Sequence, residues 1–149
     1  MSDNLNLKIR SEMKTAMKSG NKIRLGTIRL MMAAIKQREV DERTTMNDDQ
    51  VIAILDKMLK QRRESIKMYT DASRNDLAEA EQAEILVIQE FLPEALGEAE
   101  IDKMISDTIQ ETGAESMRDM GKVMGKLRPL MQGRADMAQV SSRIKELLT

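Results

Sequence analysis

This chain of 149 residues contains no cysteine, no histidine and no tryptophan. Without cysteine there is no disulfide framework, thiol nucleophile or thiolate metal site. Without histidine the commonest general base, the Ser-His and Cys-His pairs and the commonest zinc ligand are excluded too. Carboxylates and lysines remain for acid–base work or for holding magnesium, so an independent enzyme is a poor expectation, and no cofactor or metal is expected. Only Tyr69 and Phe91 are aromatic, which predicts an aliphatic core filled out by many of the fourteen methionines. No apolar run approaches the roughly 18 residues that suggest a bilayer span. The opening "MSDNLNLKIR" has no secretory h-region, and a cytoplasmic protein is expected.

Charge is present in quantity but nearly cancels, to a net −1, which argues against a generic nucleic-acid binder. The distribution points the other way. From Leu5 to Arg38 nine bases face one acid, Glu12; from Asn75 to Ser116 twelve acids face one base, Lys103; from Met117 onward seven bases face three acids. Such segregation creates local fields of both signs.

Strand alternation is absent and helical periodicity runs almost throughout, which predicts an all-α protein. A first helix spans about 5–19 and stops at Gly20. A second spans 22–43, with a wide apolar face through Ile23, Leu25, Ile28, Met31, Met32 and Ile35 that suggests contact with more than one neighbour. "NDDQ" at 47–50 has the form of a capping box opening a long third helix, and "SRND" at 73–76 turns the chain into a fourth. Pro93 and Gly97 break the pattern. The expected division is therefore a bundle of long helices over 1–92, a linker at 93–97 and a three-helix tail over 98–149. In the tail, helices are expected to end near Gly113, to start at Ser116 with a core row Met117–Met120–Met124–Leu127, and to start again at Asp136.

Several surfaces are candidates for binding. Lys22, Arg29, Lys36 and Arg43 recur every seven residues along one face of the second helix. With Lys14 and Lys18 they either track an RNA phosphate backbone or form a solvated face balanced by Glu39, Asp41 and Glu42. "KMLKQRRESIK" on the third helix reads more simply as surface salt pairing. Carboxylate pairs such as Asp48/Asp49 and Glu98/Glu100 have no accompanying motif. The sixth helix is unusual because Gly121 and Gly125 share a face, although a glycine inside a helix costs about 1 kcal/mol relative to alanine. Either another helix packs there at close range, or the bare backbone admits a polynucleotide, with Arg118, Lys122 and Lys126 alongside. "LRPLMQGRAD" adds Arg128 and Arg134 in an expected turn shaped by Pro129 and Gly133.

Four blocks, "RLGTIRLMMAAIKQREVDER", "KMLKQRRESIKMY", "IQEFLPEAL" and "SMRDMGKVMGKLRPLMQGRAD", resemble the GatB/YqeY family in its free-standing YqeY form, in order and over essentially the whole chain. One departure is Met137, where the family's "GRADG" has its last glycine. The resemblance implies an all-helical fold with a three-helix tail. It also implies a relation to the C-terminal part of the GatB component of the tRNA-dependent amidotransferase, whose tail grips the outer corner of tRNA. Free-standing members inherit the label of carbon–nitrogen ligase with glutamine as amido donor. Nothing in this chain supports that activity: there is no nucleotide-binding glycine loop, serine–lysine arrangement or cradle domain. By this analogy Arg118, Lys122, Gly125, Lys126, Arg128 and Arg134 are the expected tRNA contacts, with Lys22, Arg29 and Lys36 as further RNA-binding candidates. An aminoacyl-tRNA synthetase or an amidotransferase is the expected protein partner, and a helix-accepting role for the Gly121/Gly125 furrow is the alternative.

Overall fold

Local punctuation sets the helix boundaries. In the computed structural model, which describes residues 4–149, helix α1 (Asn4–Ser19) stops at Gly20 with φ of +73°, a left-handed turn that glycine adopts without steric cost. Asn21 then opens α2 (Lys22–Glu42) by accepting the N–H of Arg24 at 3.1 Å. The α3 helix (Asp48–Asp71) begins with the expected capping box, the Asn47 and Gln50 side chains each accepting the other's backbone N–H at 2.9 Å. The α4 helix (Asn75–Gln89) follows the short turn at 73–74. Gly113, at φ +66°, ends α5 (Glu98–Thr112). A 3-10 turn (Met117–Asp119) leads into α6 (Met120–Met131), and Asp136 caps α7 (Met137–Leu148). The described residues contain seven α-helices and no strand, so the protein is all-α as expected.

Contacts divide the chain into two compact units, one ending at Leu92 and the other spanning Pro93–Thr149. In the first, α4 lies along α3 and α2, and α1 lies along α2 and α3. Their shared interior holds Ile9, Ile28, Met31, Leu55 and Ile88, all inaccessible to solvent. Arg24 joins three parts of the unit: it pairs with Glu12 of α1 at 3.0 Å and with Glu90 after α4, and lies over the Phe91 ring. Thr27 is buried on α2, its hydroxyl donating to the Ile23 carbonyl one turn back at 2.9 Å.

The second unit has its own interior of Ile105, Val123, Leu127, Met131, Val140 and Ile144. Residues 93–97 belong to it, because Leu96 packs against this interior and its N–H donates to the Arg134 carbonyl at 2.8 Å.

Two expectations about helix faces and one about a helix end need correction. Ile23, expected inside, is 64% exposed. The core row of α6 runs through Val123, Leu127 and Met131, with Met120 and Met124 half-buried, and Met117 falls outside it. The helix also continues through Pro129 to Met131 where a turn was expected. Proline there removes one N–H, whose acceptor would have been the carbonyl of Gly125. That carbonyl lies on an exposed turn, where water can take the donor's place.

Candidate nucleic-acid interface

The basic residues of the second unit are set by the 3-10 turn, α6 and the loop after it. At the turn, the Asp119 carboxylate folds back to accept the N–H groups of Glu115 at 2.9 Å and Ser116 at 3.4 Å. These backbone donors hold its pKa below the usual carboxylate value, and the charges of Lys122 and Arg118 act in the same direction. Asp119 therefore stays ionised as a local counter-charge, 3.9 Å from the Lys122 ammonium.

From there to Met131 the helix carries Lys122, Lys126 and Arg128 and no acid. Lys122 is 71% exposed at its side chain. Lys126 pairs with Glu111 of α5 at 2.9 Å, with both side chains more than half exposed. An exposed pair of this kind is worth about 0–1 kcal/mol, so Lys126 can exchange Glu111 for another anion at little cost. Arg118 and Arg128 are exposed and make no ion pair among the described residues.

Arg134 has a structural task that its place in a basic cluster does not announce. Its Nε donates to the Glu94 carbonyl at 3.1 Å while its own carbonyl accepts from Leu96, and it is half-buried. It fastens the segment leading into α5.

Gly121 and Gly125 are exposed, and a Cβ built at either would meet nothing within 4 Å. Neither has a positive φ. Close packing by another helix of the second unit thus does not account for them. What they leave is an open strip of backbone beside Lys122 and Lys126, continued by Pro129 one turn on.

Lys22, Arg29 and Lys36 stand on α2, in the first unit. All three are exposed and make no ion pair or side-chain hydrogen bond among the described residues. On the third helix, Arg62 of the "KMLKQRRESIK" segment turns to α4 and pairs with Glu84 at 2.9 Å. Among the described residues no group of three or more acidic side chains converges in a way that could hold a metal ion.

The order and content of these helices agree with one sequence family, whose profile, described as YqeY-like protein, matches residues 6–148. The chain belongs to the YqeY-like family. A relative from Pyrenophora tritici-repentis, named altered inheritance of mitochondria protein 41, mitochondrial, is 33% identical over 95% of this chain and 79% of its own length. Proteins of the same name from Vanderwaltozyma polyspora and Lachancea thermotolerans are 30% and 32% identical, over 76% and 69% of this chain. The chain spans 65% and 57% of those two, less than two thirds of their length. These names overturn the cytoplasmic expectation, since they point to mitochondria. The physical reason is that a missing h-region speaks only to the secretory route.

Proposed function

We propose that this YqeY-like protein is a non-catalytic accessory protein that binds structured RNA, with tRNA and its outer corner as the favoured target. The observation that carries the reading is the exposed face of α6, where Lys122, Lys126 and Arg128 stand without an acid in the helix and beside two bare glycines. Phosphate and sugar contacts from Lys and Arg position a protein on a folded RNA without reading its bases. Open backbone at Gly121 and Gly125 lets a polynucleotide come closer than any side chain would allow. The scarcity of aromatics is consistent with recognition by shape and charge, because stacking on single-stranded bases needs rings. The choice of tRNA among structured RNAs rests on the family resemblance, and so does the expectation of a synthetase or amidotransferase partner. An amidotransferase activity of its own is not part of the proposal.

Titration of bulk tRNA by filter binding at low and physiological salt tests this. Binding should weaken as salt rises, and the double charge reversal Lys122→Glu/Lys126→Glu should weaken it further and reduce the salt slope by about 2. No binding, or affinity that salt leaves unchanged, would refute the reading.

A further inference from the structure

Helix α2 is apolar on two opposite sides. One side is the core side, with Ile28, Met31 and Ile35 buried. On the other, Ile23, Gly26, Leu30, Ala33, Gln37 and Val40 follow steps of three and four, the spacing of the a and d positions of a coiled coil. The three large members of this row are exposed by 64%, 47% and 59% (Ile23, Leu30 and Val40). They alternate with small or polar residues, and a Cβ at Gly26 would meet nothing within 4 Å. Beside the first half of the row, α2 and α4 flank an open groove of about 430 Å³ whose apolar lining is Ile23, Gly26, Leu30, Ala80 and Ala83, with Lys22 and Glu84 at its charged positions, the Glu84 carboxylate being paired with Arg62. Large side chains next to small gaps are what the knobs of an incoming helix require.

Flanking positions supply the charge. In this heptad frame Lys22, Arg29, Lys36 and Arg43 occupy successive g positions, about 10 Å apart at 1.5 Å per residue. None has an anionic partner among the described residues. We infer that this face of α2 docks an amphipathic helix of another protein, whose apolar row seats on Ile23, Leu30 and Val40 and whose acidic flank faces Lys22, Arg29 and Lys36. Charge decides between the occupants. A second copy paired antiparallel through α2 would set one basic row against the other; paired parallel, it would offer Thr27, Ala34 and Asp41, a single acid. A polynucleotide would answer the bases but leave three aliphatic side chains without apolar cover. An acidic amphipathic helix satisfies both the row and its flank. The inference concerns the first unit and does not depend on the RNA contact proposed for α6.

The test uses the full chain and three fluorescent peptides of three heptads each: leucine at a and d with glutamate flanks, the same with lysine flanks, and a scrambled glutamate peptide. The glutamate-flanked helix should bind, more weakly as salt rises, and the other two should not. Arg29→Glu/Lys36→Glu should lower that affinity about tenfold, since each reversal replaces attraction by repulsion, and should confer binding of the lysine-flanked helix. Leu30→Ser should also weaken binding about tenfold while leaving the circular dichroism spectrum unchanged, because Leu30 is half exposed. Equal binding of both flanked peptides, or binding that neither variant alters, would overturn the inference. A dimer of the free chain that Leu30→Ser dissolves would overturn it in favour of a second copy. Loss of tRNA affinity in Arg29→Glu/Lys36→Glu, with no peptide binding, would assign the face to RNA.

Discussion

Helices α2 and α6 are built from the same materials and present different surfaces. Both carry exposed glycine and bases at regular helical spacing, and both contribute a buried aliphatic row to a core. On α6 Val123, Leu127 and Met131 are drawn to the core side and Leu130 alone of the large aliphatic side chains is exposed, at 55%, so beside Lys122 and Lys126 the glycines leave open backbone. On α2 the aliphatic residues occupy two opposite arcs, and the bases border an apolar strip. A polar face with open backbone suits a phosphate chain; an apolar strip with charged borders suits a helix. Residue composition does not distinguish the two cases, but the angular placement of leucine, isoleucine and valine does.

The contrast can be broken by substitution, beginning with the leucines. Leu127 is fully buried on α6, and Leu127→Ala should cost about 2–5 kcal/mol in chemical denaturation. Leu30→Ala, half exposed on α2, should cost under about 1 kcal/mol. Equal costs would mean that the outward side of α2 is covered. Next in size, Lys122→Glu/Lys126→Glu should reduce tRNA affinity about tenfold or more by gel shift. Peptide docking on α2 should be unaffected.

Smaller still, Gly121→Ala/Gly125→Ala should raise stability by up to about 1 kcal/mol per site, since both positions are helical and open. The same change should weaken tRNA binding if the backbone strip is approached closely; a thermal melt and a titration on one sample separate the effects. Gly26→Ala should likewise stabilise α2.

The smallest effect concerns pH. On α4, burial raises the pKa of Glu81 above its ordinary value, helped by the neighbouring charge of Glu84 and opposed by Arg62. A raised carboxyl pKa contributes stability that is full below its unfolded value and lost as pH rises through the folded one. Glu81→Gln should therefore melt higher than the parent at pH 7, with the advantage disappearing in acid.

Much of the fold was legible because helix ends are local events. Asn47 with Gln50, Gly20, Gly113 and Asp136 act within a few residues of themselves, and all do in space what their order suggests. Faces are less local. Ile23 belongs to the wide apolar set of α2 read from helical spacing, and only the positions of α1 and α4 decide that its arc of the helix remains uncovered. Pro129 ordinarily signals a break, but the bond it forgoes falls on a solvated carbonyl near the helix end, so the helix survives. For the candidate site, the exposure of Lys122, Lys126 and Arg128 follows from helical spacing against the core row, while Arg118 stands before α6 in the 3-10 turn. The bond from Arg134 to Glu94 spans 40 positions, and no local pattern announces it.

That last bond has a consequence for how the chain is made. Residues 94–96 leave the ribosome well before Arg134, and until it follows they have neither the guanidinium nor the carbonyl to hold them. Helix α5 can form early, but its leading segment stays unfastened until a loop of some 40 residues closes, with the entropy cost that closure carries. The second unit is therefore completed late in synthesis, and a chain halted just short of Arg134 would present an untied segment to proteases.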